Sequence, residues 1–473
     1  MITLDLPTFL IGSLLLLAVL AYLFRRWERT VALVAAAVTG GLGLWIWRAN
    51  LDEPLHRLWL LPATVDLKGV VQQFGLVLQL QAAIQPVTAL SLLLVAAAFL
   101  LAARVSQGRS FVPFCLTLLV GYLLLSMTVV APLPPVLMAP LFLVALSAGG
   151  IFILQAGRLT ATAGPLRTLI PPALAFPLFL LAAWYIERIP LNPQDFGPTL
   201  AAGRLVALGL LLLLAPVPLH GAQPSTAQTA PPVVTALLTL LYQLAVLDLL
   251  HRTLNVFPFV ADATPLYLWL LGAGVITATW GGVAAAGATH PGRLWGYAAL
   301  HDWGLILMAL ALPGSRSWPL VIFLFTLRAV SLLTGAAGLS QMEQEAGTIA
   351  LPGLQGVGSR LPWNTAAFLL GVLGLAGFPL SAGFTGHWAA LQSVAENDWR
   401  LAAVALVASA GVVFGAVRLV RVFFGPLVNR SLPAEHPVSA WTAILALLIT
   451  ASLAVSPQLL EGPVNQILIA FGR

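Results

Sequence analysis

The sequence carries little charge. Lys, Arg, Asp and Glu make up 8% of its 473 residues, against about 25% in a soluble globular domain. Hydrophobic residues make up 60%, and the mean hydropathy is +0.97. That balance excludes a soluble enzyme and a disordered regulator. The lone cysteine, Cys115, lies inside an apolar run. A single thiol excludes a disulfide framework, a thiolate iron–sulfur cluster and a zinc site built on cysteines. Lys68 is the only lysine beside 21 arginines, and residues 100–186 contain no aspartate or glutamate.

What is present is apolar sequence in helix-length runs, not the alternation of a transmembrane barrel. The chain therefore reads as an all-α polytopic membrane protein. Fourteen runs are long enough to span the hydrocarbon layer: 8–24, 30–48, 85–104, 112–131, 135–155, 168–186, 200–217, 231–251, 265–285, 295–312, 318–339, 363–396, 402–424 and 437–460. Run 363–396 is too long for one straight helix and contains Gly377-Phe378-Pro379, so it reads as one broken helix. Asp5 precedes the first run and Arg25-Arg26 follow it, the reverse of a secretory signal, which marks that run as a mature helix. Segment 69–85 alternates at Leu78-Gln79-Leu80-Gln81 and suggests a strand or hairpin at the membrane surface.

The net charge of +6 comes from arginines scattered singly or in small groups between the runs. No basic stripe forms, so nucleic acid is not an expected partner. An N-out, C-out topology leaves 12 of the 21 arginines on the cytoplasmic side, including Arg25, Arg26, Arg29, Arg158 and Arg430. Trp45, Trp47, Trp59, Trp184 and Trp363 read as interfacial belts.

Three stretches carry more than hydropathy. One, starting at Ala215, holds Pro218, His220, Pro224, Ala230 and Pro231. A second holds Arg293, Leu294, Tyr297 and Gly304, and a third holds Gly377, Pro379, Gly383 and Phe384. In order and spacing they resemble the antiporter-like membrane subunits of respiratory complex I and the Mrp-type cation/proton antiporters. The resemblance covers roughly residues 70–460. It implies two inverted five-helix repeats, each with one helix interrupted near the membrane centre and charged residues there forming a proton path. The expected breaks are Pro218, Pro224, Pro231, Gly377, Pro379 and Gly383, within segments 218–251 and 363–396. The expected division is flanking helices 1–104, repeats 105–251 and 252–400, and C-terminal helices 401–473.

Position by position, the family's charged residues are mostly replaced. Its first-half lysines fall on Leu213 and on Gln243 or Leu244, and its acid has no counterpart. The second-half positions fall on Leu324, Arg328 and His387. Leucine cannot titrate, glutamine only hydrogen-bonds, and arginine stays protonated. His387 is the replacement that switches near neutral pH. The proton-path candidates are therefore His387, Arg328, His301, Asp302, Gln243 and His220. Each has a structural reading beside it: a satisfied histidine, a paired buried acid, or a loop pin. Adjacent His301 and Asp302 project about 100° apart on a helix, and a buried Asp302 needs a partner. Asp248 and Arg252, four apart, suit a structural ion pair.

The resemblance implies a subunit of a complex I-like, NADH:quinone oxidoreductase-type assembly in a bacterial inner membrane, in or supporting proton translocation. Its expected partners are other membrane subunits and lipid, with the redox arm on partner chains. No catalytic residue, cofactor or metal site is expected in this chain. The alternatives are a membrane subunit of a cation/proton antiporter or inorganic-carbon uptake complex, or a non-conducting scaffold.

Overall fold

The computed structural model describes residues 2–51, 53, 55–57, 63–73, 76–130, 135–155, 162–191, 194–312, 317–427 and 432–470. Trp59, Arg158 and Arg430 lie outside them. The first half contains α1 Leu6–Leu23, α2 Glu28–Arg48, α3 Gln85–Ala102, α4 Phe111–Met127, α5 Pro135–Gln155, the single turn α6 Ala163–Leu166, α7 Ile170–Ile186, α8 Phe196–Leu213, α9 Ala222–Thr229 and α10 Pro232–Val256. The second half contains the single turn α11 Phe259–Asp262, α12 Leu266–Gly287, α13 Pro291–Leu310, α14 Ser317–Ala346, α15 Pro362–Leu375, α16 Gly383–Phe423, α17 Pro437–Val455 and α18 Glu461–Ala470. All fourteen apolar runs fall on these helices. Eleven of the described helices have the length and apolar composition to cross a membrane. The molecule is an integral, all-α membrane protein.

Two small sheets decorate the helices. Val71–Gln73 (β4) and Leu76–Leu78 (β5) form the antiparallel pair foreseen in segment 69–85, and Thr128–Val130 (β6) adds to it. Ile2–Asp5 (β1), Leu55–Arg57 (β2) and Ala63–Asp66 (β3) form the other, in order β1-β3-β2.

Burial sorts the helices by role. Along α13 every residue except Arg293 is buried, as expected of a helix at the centre of a bundle. By contrast α1, α12 and α17 expose large apolar side chains such as Leu16, Trp280 and Trp441. Trp184 and Trp363 are half exposed at helix ends, while Trp45 packs edge-on against Phe9. Gly338 lets α14 approach α15 so closely that a Cβ there would strike the Asn364 and Phe368 backbone, and a Cβ on Gly335 would strike Trp295 of α13.

The two halves each contain an interruption. The second comes where the sequence placed it. Gly377 adopts φ +65°, and the Phe378 and Gly377 amides donate to the Leu373 and Gly374 carbonyls at 3.0 and 3.2 Å. That is a Schellman close to α15, and it requires a residue tolerant of the left-handed region. Pro379 lies in the gap and Gly383 is the first residue of α16. Extended backbone at Asp398 then divides α16, and the Asp398 carboxylate accepts the Arg400 amide at 2.9 Å. That break explains why two apolar runs share one long element.

The first interruption lies earlier than segment 218–251. It separates α8 from α9 across residues 214–221, so the broken helix is 196–229 and α10 is continuous. Pro218 lies in the gap and Pro231 separates α9 from α10. Pro224 breaks nothing: it sits in the first turn of α9, where proline removes no helical hydrogen bond. The backbone groups freed here have side-chain partners. Leu213 O accepts from Tyr242 at 2.9 Å, Leu214 O from Trp303 at 2.8 Å, and the Val217 amide donates to Thr277 at 3.1 Å. Irregular backbone at membrane depth needs such satisfaction.

Asp248 and Arg252 form the expected ion pair at 2.8 Å. Arg252 also donates to the Leu125, Ser126 and Thr128 carbonyls at 3.3–3.4 Å, closing the C-terminus of α4. Arg252→Leu leaves Asp248 buried and unpaired, so it is expected to lower stability in detergent by roughly 3 kcal/mol. The double variant Asp248→Leu/Arg252→Leu should recover part of that loss. Thermal unfolding checks this, and equal melting of the single variant and the wild type would show that the pair anchors nothing.

Candidate functional site

The site is assembled on α13 because both faces of that helix meet protein. Asp302 and its neighbour His301 point into different environments. Asp302 is 3% exposed and binds two basic side chains. Arg328 Nη1, from α14, lies 2.5 Å from Oδ2, and His387 Nε2, from α16, lies 2.7 Å from Oδ1. Arg328, 1% exposed, also donates to the Ala299 carbonyl at 2.6 Å and, through Nε, to Gln243 Oε1 at 2.9 Å. Its guanidinium lies 5.5 Å from the Trp303 ring centre. Four helices, α10, α13, α14 and α16, thus converge on one buried salt bridge.

The hydrogen-bond partners fix the tautomer of His387. A carboxylate only accepts, so Nε2 carries a proton toward Asp302. The other nitrogen, Nδ1, is buried and has no hydrogen-bond partner among the described residues. It is therefore the acceptor of the neutral ring. Gly377 abuts this side of the imidazole, and a Cβ there would strike Nδ1. The glycine that closes α15 and the open nitrogen of His387 thus meet at the interruption.

His301 has separate partners. Its Nδ1 donates to the Ala278 carbonyl at 2.8 Å, and its Nε2 lies 2.8 Å from Ser409 Oγ on α16. The Ser409 hydroxyl has an alternative acceptor in the Ala405 carbonyl at 3.3 Å. It can donate to a neutral His301, or turn to Ala405 when Nε2 holds a proton. The two histidine ring centres are 6.0 Å apart.

The surroundings of the first interruption are built from neutral groups. Leu213 is buried. A cavity of about 110 Å³ lies beside the first interruption, lined by Tyr122, Ser147, Thr168, His220, Thr226, Thr235, Thr239, Tyr242, Gln243 and Trp303 among others. Water needs about 10–15 Å³ of such space per molecule, so several fit. Thr226 Oγ1 and Thr235 Oγ1 are buried there without a hydrogen-bond partner among the described residues. His220 Nε2 accepts from Trp280 at 2.9 Å, which pins the interruption to α12. The cavity ends at Gln243, whose amide oxygen holds Arg328.

Residues 188–415 match the family model described as NADH:quinone oxidoreductase/Mrp antiporter, TM. NADH-quinone oxidoreductase subunit N 3 of Streptomyces griseus subsp. griseus is 30% identical over 272 residues, 55% of this chain and 48% of that protein. Subunit N of Ectopseudomonas mendocina is 30% identical, covering 63% of this chain and 64% of its own length. Over residues 188–415 the chain is thus similar to antiporter-like membrane subunits. Its match spans about half the length of the first curated relatives, 48–55%. A subunit of an archaeal membrane-bound sulfane sulfur reductase superimposes with a TM-score of 0.80 at 17% identity, covering 98% of this chain and 97% of that one. Thermus thermophilus complex I gives 0.70 at 20%, covering 95% and 98%, and the Mrp complex of Dietzia sp. gives 0.78 at 20%, covering 98% and 52%. These likenesses extend the antiporter-like fold over essentially the whole chain.

Within that family scaffold, the sequence-based candidates divide. Asp302, Arg328, His387 and Gln243 are one connected cluster, with His301 beside it, while His220 stands apart at the first interruption. Sequence reasoning missed Ser409 and Trp303. It also missed Glu435, whose carboxylate accepts the Trp363 and Asn364 amides at 3.1 and 2.9 Å and caps α15. A serine in the apolar run 402–424 was the available signal for the first.

The Asp302–Arg328 bridge gives a direct energetic test. Asp302→Leu leaves a buried guanidinium without its anion and should cost roughly 3–5 kcal/mol. Asp302→Leu combined with Arg328→Leu should cost less than Asp302→Leu alone. Detergent unfolding and yield of assembled protein measure both, and a double variant as destabilised as the sum of the singles contradicts the pairing.

Proposed function

We propose that this chain is an antiporter-like membrane subunit of a complex I-like, NADH:quinone oxidoreductase-type assembly, and that it carries protons through its second half only. The observation that carries this reading is His387: hydrogen-bonded to a buried Asp302–Arg328 pair on one side, with Nδ1 open at a helix interruption on the other. A proton arriving at Nδ1 makes the ring an imidazolium that donates from both nitrogens. Asp302 keeps its hydrogen bond to Nε2 while Arg328 remains protonated and holds the carboxylate in place, so the protonated cluster carries one net positive charge. The proton leaves from the same nitrogen. His301 Nε2 serves as the next acceptor through one bridging water, with the Ser409 hydroxyl turning to Ala405 as that nitrogen fills.

In this reading the cavity at the first interruption is a hydrated, uncharged vestibule. Gln243 orients water and Arg328 without changing charge, and His220 steadies the interruption. The two interrupted helices support a two-repeat division at 105–251 and 252–400, with flanking helices outside it. Other membrane subunits and lipid surround the chain, and partner chains carry the redox arm. The arginine bias supports a bacterial inner membrane with both termini outside.

A second reading, a non-conducting scaffold, is favoured by Leu213 and the uncharged first-half cavity. The likeness to the Mrp complex keeps a cation/proton antiporter assembly as the alternative partner set. His387→Ala, reconstituted with its native assembly in proteoliposomes, should abolish the proton flux carried by this subunit while assembly survives. Ser409→Ala should lower flux several-fold without loss of yield. Unchanged flux in His387→Ala would leave the scaffold reading standing.

A further inference from the structure

Two connections meet at one end of α1, α2 and α3. The turn between α1 and α2 places Arg25, Arg26 and Arg29 at the surface, and the α3–α4 loop brings Arg104 and Arg109 beside them; all five are exposed. Glu28 is the acid in this group, and it is already engaged: it lies 3.6 Å from Arg109 and accepts the Ser106 hydroxyl at 2.5 Å. Arg26, Arg29 and Arg104 line an open cleft of about 410 Å³ together with Glu28, Trp27, Ser106 and Gln344, so three cations face one acid that Arg109 and Ser106 already engage.

The surroundings identify this as a membrane-interface site. Phe24 and Trp27 stack with ring centres 5.8 Å apart and planes within 11°, and the Arg25 guanidinium lies 4.5 Å from the Tyr22 ring centre. Exposed aromatics at the end of an apolar helix sit at headgroup level. Leading away from the cleft, α1 presents Leu16 at 61% exposure and Leu23 at 67%, with Val19 and Leu20 between them. Guanidinium forks match phosphate oxygens, and juxtamembrane basic clusters recognise anionic lipid.

We propose that the cleft binds the phosphodiester headgroup of an anionic phospholipid, with the acyl chains lying along α1. The arginines select the charge and the leucine wall selects a lipid over free phosphate. Each arginine near an anionic surface contributes about five-fold in affinity, so removing three should weaken binding on the order of a hundred-fold.

The test uses the full chain in its native assembly, extracted in mild detergent and exchanged into nanodiscs of phosphatidylcholine doped with phosphatidylglycerol. Native mass spectrometry then counts retained lipid. Wild type should keep phosphatidylglycerol, and Arg26→Gln/Arg29→Gln/Arg104→Gln should lose it. The charge-keeping Arg→Lys triple should retain it more weakly and keep the assembly intact if the glutamine triple does not assemble. Equal retention in wild type and both triples, displacement by inorganic phosphate, a preference for phosphatidylcholine, or a partner subunit occupying the cleft would each overturn the proposal.

Discussion

The Asp302–Arg328 bridge is the constraint on which the rest of the interior depends. Two opposite charges buried at membrane depth are tolerated only with each other and with further hydrogen bonds. The protein meets that demand by bringing four helices to one point. α13 supplies the acid, the Ala299 carbonyl and the Trp303 ring, α14 the guanidinium, α10 the Gln243 amide, and α16 the imidazole. The burial of α13 and the small-residue contacts that let α14 lie against α15 follow from the same requirement. So does the glycine close of α15, which leaves room for the His387 ring.

The bridge also explains the contrast between the halves. In the second half, a fixed cation and a fixed anion cancel, so one further proton on His387 is the only charge that must be accommodated. Beside the first interruption the cavity is lined by no carboxylate, so a cation there would be buried without a counter-ion, and Leu213 and Gln243 are neutral. What remains at the first interruption is a cavity with hydroxyl and imidazole groups suited to water, and a tyrosine, a tryptophan and a threonine that hold the freed backbone.

Much of this was legible in the sequence, for physical reasons that differ by element. The helices were readable because a membrane span imposes about 20 apolar residues. The second interruption was readable because Gly377 and Pro379 stand inside a run too long to be one helix. The first was misplaced: prolines 218, 224 and 231 look alike in sequence, yet Pro224 sits where a helix start accepts it. Ionisable residues inside apolar runs flagged Asp302, Arg328 and His387 one at a time. Their convergence was not legible, because His387 lies 85 positions from Asp302 and reaches it only through the packing of α16 on α13. Ser409 and Glu435 were missed because a hydroxyl in a helix and an acid in a loop look ordinary until their partners are known.

The most direct test of a single exchangeable proton at His387 is an infrared titration of the membrane-reconstituted protein with ring-labelled histidine. The account predicts buried histidine converting between imidazole and imidazolium, disappearance of the His387 share of that conversion in His387→Ala, and no protonated-carboxyl vibration from Asp302. A carboxylic-acid signal that vanishes in Asp302→Asn, or a histidine titration unchanged in His387→Ala, contradicts it.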